Sequence, residues 1–138
     1  MEYRDYLQDE IEQAGRVLAK ILSRLVEAGS GGDRFIGVGY VHENLRSELD
    51  FDFEKLIALD EDSLKKFMTE RPDICANAET VAQLLIELGS RAETASNCRK
   101  YLNKALEMLA FVDETTDTAS LSRANKKEAI RQLLERKT

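Results

Sequence analysis

Apolar residues recur at alternating four- and three-residue intervals from Leu7 through Ile11, Ala14, Leu18, Ile21 and Leu25 to Ala28. That spacing places every one of them on a single side of an α-helix, and it lacks the strict alternation of a half-buried strand. Tyr6, Val17 and Leu22 widen the stripe to the breadth of a helix packed on a globular core. A helix is therefore expected over about residues 3–28. Gly29-Ser30-Gly31-Gly32 should stop it, with Gly29 in the left-handed position that ends many helices. Ala14-Gly15 sets two small residues in its middle, where glycine costs about 1 kcal/mol of helix propensity. A close crossing over Gly15 would offset that cost.

The same pitch continues along the chain. It contains one proline, Pro72, and no tryptophan, so little interrupts helix. Residues 33–42 admit two readings. At period two they form a short strand; at helical spacing Phe35, Val38, Val41, His42, Leu45 and Leu49 share a face with Asp33 as cap. Helix is the preferred reading, because no second strand signal exists to pair with. Alternating apolar and acidic residues over 49–53 predict an extended connector that pins Phe51 and Phe53 to the core. Short helices should cover 53–58 and 61–70, the second capped by Asp60 and closed at Arg71-Pro72. Longer ones should cover 78–88, capped by Asn77 and stopped by Gly89, and 91–112. A polar loop over 113–117 then leads to a last helix over 118–136 that buries Leu121, Ala124, Ile130, Leu133 and Leu134. The expected fold is all-α, one domain over residues 1–138, a stack of antiparallel helical hairpins with five to seven helices.

Leu85-Ile86-Glu87-Leu88-Gly89 matches the Leu-x-x-Leu-Gly run of a tetratricopeptide hairpin. The repeat's Trp, the Tyr after its Gly and its closing Pro are absent, and no 34-residue period is found. Asp5-Tyr6-Leu7, Ile11-Glu12-Gln13 and Val17-Leu18-Ala19-Lys20-Ile21-Leu22 resemble the opening of an uncharacterised family of small bacterial all-helical proteins. Members of that family carry a tetratricopeptide-like C-terminal part. Gly15 departs from it, standing where a larger residue is usual. The resemblance implies a fold and no activity.

Charge narrows the function classes. The net charge is −6, which argues against general binding to nucleic acid or anionic lipid. It is unevenly spread: residues 43–62 hold eight acids and two bases, whereas 120–138 hold six bases and two acids. No apolar run approaches the roughly 20 residues of a membrane span, and no basic start leads into an apolar leader. The cytoplasm is the expected compartment. Two cysteines, Cys75 and Cys98, are too few and too far apart for a secreted disulfide framework or a zinc spacing.

His42 is the only histidine; beside Glu43 it could act as a base, but no nucleophile or oxyanion device accompanies it. Cys75, near a helix start, is the more plausible reactive thiol, and Cys98 sits on an apolar stripe. Asp50, Asp52 and Glu54 lack the glycine and closing glutamate of a calcium loop. Gly37 and Gly39 fit neither phosphate-loop pattern, and should permit close approach of the first helix or a bend. No catalytic, metal or cofactor residue is therefore assigned, and a non-enzymatic interaction module is expected. Its partner would be an unknown protein or a second copy, engaged through Leu7, Ile11, Ala14, Gly15, Leu18 and Ile21. Two alternatives stay open: a ligand pocket around His42, Tyr40 and Tyr101, and weak nucleic-acid binding through Arg123, Lys126, Lys127 and Arg131.

Overall fold

In the computed structural model the chain is all-α, with no strand among the described residues. These are residues 2–31, 37–116 and 120–137, with side chains described over 5–28, 37–116 and 120–136. Among the described residues eight helices follow in order: α1 (Glu2–Gly31), α2 (Val38–Leu49), α3 (Phe53–Ala58), α4 (Glu61–Glu70), α5 (Pro72–Cys75), α6 (Ala78–Ser90), α7 (Ala95–Thr116) and α8 (Leu121–Lys137). The count exceeds five to seven because Pro72 does more than end α4. Its preset φ suits the first position of a helix, and it opens the one-turn α5.

α6 and α7 form the central hairpin, with α8 against α7 and α1 packed on α2, α5 and α6. One continuous apolar core runs from Leu18 and Leu25 of α1 through Phe51 and Phe53 to Leu84, Leu102 and Ile130. Gly89 does not stop α6. It lies inside the helix, where an added Cβ would stand 2.7 Å from Leu102 Cδ2. This glycine is there so that α7 can come close. α1 likewise runs past Gly29 to Gly31.

The connectors explain the middle of the chain. Asp50 takes φ 48° and ψ 48°, ending α2 in the left-handed conformation, and its N–H and that of Phe51 return to the carbonyls of Arg46 and Leu45. Phe51 and Phe53 are buried as expected, at 0% and 1% exposure, while Asp50, Asp52 and Glu54 face solvent. Asp52 and Asp60 cap α3 and α4 by accepting the N–H of Lys55 and Ser63. Arg71 locks the region together. Its guanidinium donates to the carbonyls of Leu49 (2.8 Å) and Asp50 (2.9 Å), and holds both carboxylate oxygens of Asp73.

Three further expectations change. Asn77 does not cap α6 with its side chain; its amide donates to the carbonyls of Ile11 (3.1 Å) and Asp73 (2.8 Å). Gly15 makes room for that amide rather than for a crossing helix, since a Cβ there would sit 3.0 Å from Asn77 Oδ1. Among the described residues nothing lies within 4 Å of a Cβ built on Gly37 or Gly39, and Gly37 forms a bend ahead of α2 instead of a close contact with α1. α2 is helical from Val38, and the proposed roles of Asp33 and Phe35 fall outside the described residues.

Candidate interaction face

The seam on α1 is spent inside the chain's own core. Ala14 and Leu18 are fully buried, Ile21 and Ala28 nearly so, and Gly15 lies half-buried under Asn77. Leu7 and Ile11 are half-buried near the N-terminal end of the helix, beside Tyr6, which is 65% exposed. The residues first expected to meet a partner are thus largely unavailable to one.

Another face of α1 remains open. Arg16, Lys20 and Arg24 recur every four residues and line a solvent-open groove of about 390 Å³. Tyr40, Asn44 and Glu48 line it from α2 at the same interval, with Val17 and Ile21 between the rows. At 1.5 Å of rise per residue, members of each row stand about 6 Å apart along their helix. Asn44 is held by donating its amide to the carbonyl of Tyr40 at 2.9 Å. Among the described residues Arg16, Lys20 and Arg24 form no ion pair, and all three are exposed. Like charges four apart destabilise a helix by about 0.2–0.5 kcal/mol per pair. The cations of the opposite end of the chain behave differently, because most are consumed internally.

α8 shows this most clearly. Arg123 is only 7% exposed; its Nε lies 2.5 Å from Asp113 Oδ1 and its Nη1 3.6 Å from Glu79 Oε1. Lys127 donates to the other oxygen of Asp113. Hydrogen bonds from Lys127 and Arg123 hold the Asp113 carboxyl below its ordinary range, and Asp113 in turn raises Arg123. Lys126 donates to Ser122 Oγ at 3.0 Å, and Arg131 lies 3.7 Å from Glu128. The face shared by 123, 127 and 131 is therefore mostly a docking seam for α8. Asp113 belongs to α7, which continues to Thr116 where a loop was expected. Leu121 (79% exposed) and Ala124 face solvent instead of the core, Ile130 is fully buried, and Leu133 and Leu134 are partly so.

His42 is a packing residue in this geometry. Its ring meets Phe53 edge-on at 5.4 Å, and its Nδ1 lies 3.9 Å from Glu54 Oε1. Nε2 is buried without a hydrogen-bond partner among the described residues. Burial lowers the ring below its ordinary value of 6.5; Glu54 and Asp52 oppose the shift, and Arg46 and Lys100 add to it. Tyr40, two residues away on the helix, points into the α1–α2 groove, while the shallow depression at His42 is lined by α2 alone through Gly39, His42, Glu43, Arg46 and Ser47. Tyr101 lines neither; burial pushes its hydroxyl up, with Glu54 adding to the shift. Tyr40 and His42 thus line separate depressions, and Glu54 is the neighbour that His42 and Tyr101 share.

Burial also pushes the half-buried Cys75 thiol up, the reverse of what a nucleophile needs, and Cys98 is fully buried. Among the described residues no three His, Cys, Asp or Glu side chains are grouped to hold a metal ion, and no helix is long and apolar enough to cross a membrane. The basic row on α1 was visible in the chain as three cations at helical spacing with no acid from Arg16 to Val26. The denser basic run near the C-terminus masked it. No protein-family model matches this chain, and neither a curated protein nor a solved structure shows significant similarity to it.

Proposed function

We propose that this chain is a non-catalytic helical interaction module whose working face is the groove between α1 and α2. One observation carries it: Arg16, Lys20 and Arg24 stand exposed and, among the described residues, without an ion pair, with Tyr40, Asn44 and Glu48 lining the other wall of the groove. Rigid elements hold both rows, which suits recognition of another protein surface. Burial pushes the Cys75 thiol away from the thiolate a nucleophile needs, and the His42 side chain is only 14% exposed. In this role the α6–α7 hairpin is the tetratricopeptide-like scaffold behind the face, and the cytoplasm is where it works.

The test is cross-linking in the native cell, with the cross-linked sites mapped by mass spectrometry. Links should concentrate at Lys20 and its neighbours and vanish in an Arg16→Glu/Arg24→Glu variant that keeps wild-type helicity. Links scattered evenly over the surface, or unchanged in the variant, would overturn the assignment.

A further inference from the structure

α1 is split by charge. Residues 5–15 hold four acids, Asp5, Asp9, Glu10 and Glu12, and no base. Residues 16–26 hold Arg16, Lys20 and Arg24 and no acid. The helix dipole favours such an order only within the first and last turns, and these residues lie mostly inside the 30-residue helix. The acidic half also carries Tyr6, an aromatic ring 65% exposed. At 100° per residue, Tyr6, Glu10 and Gln13 fall on the same side of α1 as Val17, Lys20 and Arg24. The stripe that ends as a basic groove wall thus begins with one acid, Glu10, and a projecting aromatic, with Asp5, Asp9 and Glu12 flanking it.

We propose that the occupant of the α1–α2 groove is the N-terminal half of α1 from a second copy of this chain, in an antiparallel, two-fold symmetric pair. The proposal rests on the interaction-module reading and names its partner. An antiparallel α1 pair brings each acidic half over the other copy's basic half. Glu10 then faces Lys20 of the second copy, and Tyr6 reaches toward Arg24 and the Val17–Tyr40 side of the groove, where a ring can both bury area and stack on a guanidinium. Two-fold symmetry repeats each contact, so self-complementarity is required of the helix. The charge split meets that requirement. A small anion is a poorer occupant, because the three cations are spread over about 12 Å of helix instead of converging. A nucleic-acid strand would meet Glu48 in the groove and the acids ahead of Arg16.

Sedimentation equilibrium on the full chain at micromolar concentration tests this. The wild type should be a dimer that weakens with salt. Glu10→Lys alone and Lys20→Glu alone should each weaken it by about two- to thirty-fold, since each breaks two symmetry-related exposed pairs. The double Glu10→Lys/Lys20→Glu variant should recover most of the loss, and Tyr6→Ala should weaken the dimer without changing its salt dependence. Both charged positions are exposed, and circular dichroism will show that the variants fold. A monomeric wild type, single variants that dimerise normally, or a double variant that fails to recover would each overturn the proposal. A monomer whose cellular cross-links still depend on Arg16 and Arg24 would sink the self-pairing alone and leave the module standing.

Discussion

His42 packs edge-on against Phe53 with its side chain 14% exposed, and its titration should be felt by the whole fold. Desolvation favours the neutral ring, so the unfolded chain takes up a proton more readily than the folded one. The stability this contributes is complete above the unfolded value of 6.5 and is lost as pH falls through the lower folded value. The urea midpoint of the wild type should therefore drop as pH descends below 6.5, ahead of the carboxylates. A His42→Gln chain should be flatter over the same window, and equal slopes would acquit His42. Arg71 and Asn77 are the other decisive residues, each joining segments distant in the chain through backbone carbonyls. Such side chain-to-backbone bonds leave no periodic signature, which is why Asn77 read as a cap and Arg71 merely as the residue before proline.

At the level of elements, α8 is held differently from the rest. Among its described residues Ile130 is the one fully buried apolar side chain, and Arg123 and Lys127 complete the attachment through Asp113. Truncating a fully buried Ile costs about 2–5 kcal/mol, a large fraction of what can hold so lightly anchored a helix. Ile130→Ala should expose α8 to limited proteolysis while the fragment ending near Thr116 stays intact. Uniform resistance, or simultaneous loss of all helices, would show that α8 is anchored by something else. α3 and α7 are joined by a comparable device. Lys104, 5% exposed, donates to the carbonyl of Leu59 at the end of α3 and pairs with Glu107. Neither the inward turn of Arg123 nor that of Lys104 follows from local pattern, because both cations sit where an isolated helix would leave them solvated.

Across the whole molecule, α1, α6 and α7 share one core, with Leu18, Leu25, Leu84 and Leu102 all within it. Native-state hydrogen exchange under rising denaturant should therefore merge the amides of residues 14–28, 78–90 and 98–112 into one opening reaction. Exchange of α1 at a distinctly lower free energy would mean that the α1–α2 pair opens as a separate unit. The amides of residues 5–12 should exchange earlier, because Tyr6 and its neighbours are exposed. They are also the segment expected to gain protection when two copies pair.

Repetition at the pitch of a helix was enough to read α1, α3, α4 and α6 from the residues alone, with Asp60 as cap and Phe51 and Phe53 as anchors. It reports which side of each helix avoids water, a local property carried by spacing. Which surface each apolar side meets is a long-range matter. Only tertiary packing consumed the α1 seam internally, turned Gly89 toward Leu102, drew Arg123 onto Asp113 and Glu79, and left Arg16, Lys20 and Arg24 facing an open groove. Burial and charge pairing are decided between elements far apart in the chain, and the candidate face exists because of what those elements leave uncovered.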